Sequence, residues 1–123
     1  MKFSRTQHIR KNADFEAVRE NSEGAVCAAF RMRIRLTDTG VRRLGVISSR
    51  HVGCAVKRNR ARRLLREAFR KCQDILPPSC DVLLIASRDL PEMNGNDVRI
   101  IFKTQAEKIF RRMKAGDHDA TVK

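Results

Sequence analysis

The stretch VKRNRARRLLREAFR, which runs from Val56 to Arg70, decides how this chain folds and what it binds. On a helix of about 100° per residue, the apolar side chains of this stretch and of the following turn fall in one arc. They are Ala61, Leu64, Leu65, Ala68, Phe69 and Cys72. A stripe of this kind is what a globular helix buries. The opposite side carries Asn59, Arg63, Arg66 and Arg70, flanked by Arg60 and Arg62.

The exposed side of this helix is almost entirely guanidinium, with Glu67 the single acid among the arginines. Like charges at helical spacing repel one another and weaken the helix. An ordinary surface helix carries acidic residues among its basic ones. The alternative interpretation is that this row of arginines is simply an exposed face in contact with solvent. Because arginine grips phosphate with a planar bidentate fork, the unrelieved row predicts a helix that binds nucleic acid.

The composition agrees with a polyanionic partner. The 123 residues carry a net charge of +13 and are 41% hydrophobic, which is enough for one domain with a core. No apolar run approaches the ~18 residues of a spanning helix, and no apolar signal region follows the basic N-terminus. We therefore expect no membrane partner.

The four cysteines are Cys27, Cys54, Cys72 and Cys80. None forms a CxxC pair, so we predict buried, reduced thiols in a cytoplasmic protein and no protein-bound metal.

The chain on either side predicts helices and strands in the order α-β-β-β-α-β-α. Residues 1–11 are expected to be a basic arm, and Asn12 caps a helix over residues 13–20. The alternation in Phe30 to Leu36 predicts a strand with arginines on its second face, either solvated or a binding surface. Residues 44–49 predict the next strand, which we expect to pair with it as an antiparallel hairpin. Residues 25–28 form a further short strand or the start of the first.

After the basic helix, residues 81–86 form a continuous apolar run that predicts a strand buried on both faces. The basic helix is then the connection of a strand–helix–strand crossover, which the general statistics make right-handed. Asn96 is expected to cap a last helix, and the tail frays from Gly116. The prediction is an α+β fold, a sandwich of helices on one mixed four-stranded sheet. We expect one domain over residues 1–113 and a disordered tail over residues 114–123.

The sequence contains few residues in patterns that could carry catalysis. The acids Asp14, Glu67, Asp81 and Asp97 form no paired cluster for two Mg²⁺ ions. A protein-only ribonuclease that uses His8 and His51 stays open, although both lie in basic surroundings that suit phosphate contacts.

The motif Arg58-Asn59-Arg60, continued by RLLREAF from Arg63, resembles the signature of the bacterial ribonuclease P protein component. GVISSRHVG from Gly45 is similar to the family's strand and basic corner. Asn12 to Phe15 resembles the start of its first helix, and Asp81 to Ala86 lies where its buried strand lies. The resemblance covers roughly residues 1 to 113.

The resemblance implies a subunit of an endoribonuclease in which a catalytic RNA, with Mg²⁺, removes the 5′ leader of precursor tRNA. It implies a left-handed crossover and a monomer in a one-to-one complex with the RNA. The implied contacts to the catalytic RNA are Arg50, His51, Lys57, Arg58, Asn59, Arg60, Arg62, Arg63, Arg66 and Arg70. The implied leader cleft, between the sheet and the first helix, includes Phe15, Arg31, Arg33 and Arg88.

Several points of the implied site stay open. Asn59 either hydrogen-bonds RNA or fixes its neighbours, and Phe15 either stacks on a leader base or belongs to the core. The chain departs from the family pattern at Arg50 and His51, where two lysines are usual, and at Arg33, where a tyrosine is common. Arg19 replaces a frequent second aromatic. The alternative function is a general RNA-binding module such as a ribosomal protein.

Overall fold

The structure is a computed structural model that describes residues 23–27 and 29–122. The predicted basic arm, the predicted helix over residues 13–20 and Phe15 lie outside the described residues. In chain order the described strands are β1 (Glu23–Val26), β2 (Phe30–Leu36), β3 (Arg42–Ile47) and β4 (Cys80–Ala86). The described helices are α1 (Ala55–Cys72), between β3 and β4, and α2 (Gly95–Val122), after β4. Short 3-10 turns cover Arg50–Val52, Gln73–Ile75 and Leu90–Glu92.

The strands form one mixed sheet in the order β1-β2-β4-β3. β3 and β4 are parallel neighbours joined by α1, so the predicted crossover and the α+β class are confirmed. The other two pairings are antiparallel. The left-handed sense of the crossover stays a prediction. The separate short strand before β2 is present as β1, and α2 includes most of the segment predicted as a tail. The predicted domain limits, residues 1–113 with a tail over residues 114–123, stay a prediction.

The predicted hairpin of β2 and β3 is wrong. The two strands do not pair, because β4 lies between them and hydrogen-bonds to both. The loop between β2 and β3 instead passes the start of β4, where the Ser79 hydroxyl contacts Thr37 Oγ1 at 2.9 Å and accepts the Gly40 N–H at 2.9 Å. A strand that is apolar on both faces is covered best in the interior of the sheet, and β4 takes that place.

Both described helices pack on the same face of the sheet. Phe30, Met32 and Ile34 of β2 and Val82 and Leu84 of β4 point into this core and are fully buried. They meet the predicted apolar stripe of α1, which is buried or partly buried, and the apolar side of α2, where Val98, Phe102, Ala106 and Ile109 are buried. The cap of α2 differs from the prediction, since Asn94 Oδ1 accepts the Asp97 N–H at 2.9 Å and Asn96 has another role.

A buried carboxylate joins three strands on the second face of the sheet. Asp81 lies in register with Arg35 of β2 and Arg43 of β3. Arg43 binds it through Nε and Nη2, both at 2.7 Å, and Arg35 donates Nη2 at 2.7 Å. Burial raises the pKa of the Asp81 carboxyl, but the hydrogen bonds from Arg43 and Arg35 outweigh burial and hold that pKa below its usual value.

We expect Asp81→Asn to lower the free energy of unfolding at pH 7 by about 3 kcal/mol, because two partly buried arginines lose their counter-charge. A carboxyl whose pKa is lowered in the folded state contributes stability above its unfolded pKa of about 3.9 and loses it as pH falls through the folded value. The gap between parent and variant should therefore narrow in acid. Urea denaturation across pH measures both effects.

Asp74→Asn is the control, since Asp74 is exposed and forms no ion pair with any described residue. Its effect should stay within about 0.5 kcal/mol. Equal stabilities of the Asp81 and Asp74 variants, or a gap that does not change in acid, would contradict the role of Asp81.

Candidate nucleic-acid interface

The corner between β3 and α1 sets where the basic helix begins. Val52 is buried under the turn, and Gly53 has a φ of 134°, a conformation that favours glycine. A Cβ on Gly53 would also come within 3.0 Å of Lys57 Cδ. Ser48 Oγ donates to the carbonyl of Arg58 at 3.1 Å and ties the end of the strand to the first turns of the helix. The helix therefore leaves the sheet in a fixed direction.

The structure places the predicted contacts to catalytic RNA on α1 and on the corner before it. Because the apolar stripe of α1 faces the sheet, the charged row faces away from it. The exposed members of the predicted set are Arg50, His51, Lys57, Asn59, Arg60, Arg63 and Arg66. The half-buried members are Arg58, Arg62 and Arg70.

Several cations of this set have partners within the protein. Arg70 Nη2 donates to Glu67 Oε2 at 2.8 Å, which lowers the pKa of Glu67 and raises that of Arg70. Lys57 Nζ lies 3.8 Å from Glu92 Oε1, an exposed pair of little energetic weight. Glu67 and Glu92 thus each offset one positive charge at this surface.

Arg60 and Arg62 each donate a hydrogen bond to another group of the protein. Arg60 Nε donates to the carbonyl of Pro91, in the 3-10 turn before α2. Arg62 Nη1 donates to Asn59 Oδ1 at 3.1 Å. This bond supports the structural reading of Asn59, whose amide oxygen fixes a neighbouring guanidinium. The sequence offers no signal for the contact to Pro91, which lies 31 residues away.

Arg63 and Arg66 differ from these cations. Both are exposed, and within the described part of the chain neither side chain has a hydrogen bond or an ion pair. They lie three residues apart on the same side of α1, one turn of helix. Their donor sites are therefore available to an external phosphate.

The predicted burial of the cysteines is wrong at this corner. Cys54 is the exposed residue that precedes α1. Hydrogen bonding with the Lys57 backbone N–H lowers the pKa of its thiol. The signal available in the sequence is its place directly before the helix.

The second face of the sheet carries the predicted leader contacts of β2. Arg31 is exposed and lies in register with Ile85 and Ile47, while Arg33 lies in register with Leu83. The Arg33 side chain crosses β1 at Gly24, where a Cβ would lie 3.4 Å from its Cγ. A line of positive charge therefore borders an apolar strip formed by Ile47, Leu83 and Ile85.

This strip was missed from the sequence, although the continuous apolar run of β4, which leaves apolar side chains on both faces of the sheet, indicates it. Arg35 lies on the same face as Arg31 and Arg33, but its charge is offset by Asp81 of the neighbouring strand β4. Arg88 is exposed just after β4, at the end of the sheet where Arg31 lies. Phe15 is outside the described residues, so the structure does not test its place in the cleft.

Over residues 23–27 and 29–122, no three side chains of His, Cys, Asp or Glu lie close enough together to hold a metal ion. Among the same residues, neither helix is both long and apolar enough to cross a membrane.

The chain is similar in sequence to proteins of one family. The model of the ribonuclease P family matches residues 3–114. The ribonuclease P protein component of Shouchella clausii is 34% identical over 98 residues, 79% of this chain and 80% of that protein. That of Desulforapulum autotrophicum is 28% identical over 115 residues, 94% of this chain and 95% of its own length.

The fold agrees with these sequence matches. The solved structure of the Staphylococcus aureus ribonuclease P protein superposes with a TM-score of 0.68 at 25% identity, covering 88% of this chain and 95% of that one. The resemblance stated from the basic motif is thereby confirmed. The chain belongs to the ribonuclease P protein component family, the protein subunit of a ribonucleoprotein endoribonuclease.

Proposed function

We propose that this subunit docks on the catalytic RNA of ribonuclease P through α1 and its corner, and holds the 5′ leader of precursor tRNA on the second face of the sheet. In this proposal the complex removes the leader in a Mg²⁺-dependent endonucleolytic step. The RNA carries the catalysis, and Mg²⁺ supplies charge neutralisation and an activated water there. The residues of this chain bind and orient.

The observation that carries the proposal is the division of positive charge between two sides of the sheet. The row that contains Arg63 and Arg66 lies on the outer side of α1, while Arg31 and Arg33 lie on the face that α1 does not cover. Two RNA segments can therefore bind without competing for one surface. A single continuous basic patch would not separate a docking site from a substrate site.

Each surface suits a different RNA. Arg63 and Arg66 offer planar forks to the phosphates of a folded RNA and release counterions on binding. The second face offers Arg31 and Arg33 to a backbone and the apolar Ile85 beside them to a base. A leader varies in sequence, so charge and stacking serve it better than contacts to base edges.

The proposal also covers the stoichiometry of the complex, its location and the share of each arginine in binding RNA. We propose a monomer bound one-to-one to the catalytic RNA, and a cytoplasmic location that fits four cysteines without disulfides. Arg60, Arg62 and Arg70 already have protein partners, so we assign them a smaller share of the RNA contacts than Arg63 and Arg66.

The direct test is cleavage of precursor tRNA by the protein alone, by the catalytic RNA alone and by both together. We expect no cleavage by the protein alone and faster cleavage by the pair than by the RNA at low Mg²⁺. Cleavage by the protein alone would favour a protein-only ribonuclease. A pair that gains nothing over the RNA would favour a general RNA-binding module.

We expect Arg63→Ala to weaken binding to the catalytic RNA and to flatten the slope of log affinity against log salt by about 1, because one phosphate contact is lost. Binding titrations at several KCl concentrations measure the slope. Arg111→Ala removes an equal charge from an exposed position on α2 and should leave the slope unchanged. The same slope for both variants would remove Arg63 from the interface.

We expect Phe15→Ala to lower the affinity of the reconstituted enzyme for precursor tRNA by about 1–3 kcal/mol if the ring stacks on a leader base. Mature tRNA, which has no leader, is the matched ligand and should bind nearly as before. Thermal denaturation of the variant checks its folding. Equal losses for both ligands, or a large loss of stability, would assign Phe15 to the core.

A further inference from the structure

The last turns of α1 and the first turns of α2 enclose a groove that the proposed contacts leave unused. One hollow of this groove has a volume of about 330 Å³ and is lined by Lys71, Cys72, Asn96, Arg99, Ile100 and Lys103. A second hollow of about 270 Å³ continues it past Glu67 towards the start of α2. Two helices that are distant in sequence thus build one groove.

The charges that line this groove are unbalanced. Lys71, Arg99 and Lys103 are positive, and Glu67 is the single acid on the walls. Glu67 is already bound to Arg70 at 2.8 Å. Within the described residues none of the three cations forms an ion pair, and Glu67 is the single acid set against them on the walls. A polyanion can supply what the protein does not.

The positions of the cations are partly fixed. Arg99 Nη2 donates to Asn96 Oδ1 one turn earlier on α2, which holds the guanidinium at the wall of the groove. Lys103 and Arg99 both act electrostatically on Cys72, the buried residue at the floor. Burial raises the pKa of the Cys72 thiol, so the floor stays neutral and does not repel an anion.

The groove continues the cationic row of α1. Lys71 directly follows Arg70 and lies about 12 Å along the helix axis from Arg63. An RNA backbone that contacts Arg63 and Arg66 can therefore reach the groove without leaving the protein surface. Ile100, which is 63% exposed at the groove, offers an apolar contact to a ribose or a base.

We infer that the groove between α1 and α2 binds phosphates of the same RNA that docks on α1, so that the interface extends onto α2 through Lys71, Arg99 and Lys103. The inference rests on the proposed function, since it names more of the surface that the catalytic RNA covers. It differs from that function in assigning α2, which the basic motif does not include, a direct role in binding.

The test compares two double variants of the full chain that remove the same charge. Lys71→Ala with Lys103→Ala empties the groove of two exposed cations. Lys108→Ala with Arg111→Ala removes two exposed cations from another part of α2. Affinity for the catalytic RNA is measured from about 50 to about 200 mM KCl, a range in which each phosphate contact changes affinity about 3.5-fold. Thermal denaturation checks that both variants fold.

We expect the groove variant to flatten the salt slope by roughly 2, one for each lost contact, and the control variant to leave it nearly unchanged. Hydroxyl-radical footprinting should show loss of protection at nucleotides other than those affected by Arg63→Ala. Equal salt slopes for the two double variants would overturn the inference. So would a loss of affinity by the groove variant that is as large for an unrelated RNA duplex of the same length as for the catalytic RNA.

The parallel measurement with Arg63→Ala separates the two possible failures. If Arg63→Ala flattens the slope and the groove variant does not, α1 alone binds the RNA and only the inference fails. If neither variant differs from its control, the proposed docking surface itself fails. If both flatten the slope and the footprints differ, the interface includes both helices.

Discussion

The bond between Asp81 and two arginines is the interaction on which the arrangement of this sheet depends. Asp81 is fully buried, and its two oxygens accept three hydrogen bonds at 2.7 Å from Arg35 and Arg43. These residues form one row across β2, β4 and β3, so a shift of one residue in any strand would turn a charge towards the core. With β3 and β4 fixed as parallel neighbours, the connection between them must cross a face of the sheet. That connection is α1, and its cationic side is therefore held away from the sheet.

The net charge of +13 does not by itself show where RNA binds, because several arginines donate hydrogen bonds to groups of the protein itself. Arg42 donates to the carbonyls of Leu76 and Pro77, and Arg60 donates to that of Pro91. The guanidinium fork that suits a phosphate suits a carbonyl or a carboxylate equally well. The structure separates the two uses by showing which donors already have a protein acceptor. Arg63 and Arg66 have none among the described residues, which is why the proposed interface centres on them.

Local periodicity made much of this fold predictable from the sequence. The apolar stripe of α1, the alternation of β2 and the apolar run of β4 each reflect which side of one element is buried, and the structure confirms them. Strand pairing depends instead on residues far apart in sequence. The short loop between β2 and β3 favoured a hairpin, whereas the pairing of Asp81 with Arg35 and Arg43 becomes visible only when β4 lies between them. The site divides in the same way: the row on α1 was predictable, and the groove against α2 was not.

The groove and the row together explain why the single acid on this side of α1 does not weaken it as a binding surface. Glu67 lies between the exposed row and the groove, and an unpaired carboxylate there would repel a phosphate on either side. The Arg70 guanidinium binds it at 2.8 Å and lowers its pKa, so the acid stays charged but its field is largely cancelled. Arg70 is thus more useful as the partner of Glu67 than as a further phosphate contact. The local arrangement, one arginine neutralising one glutamate, leaves cations on both sides free to face the same RNA.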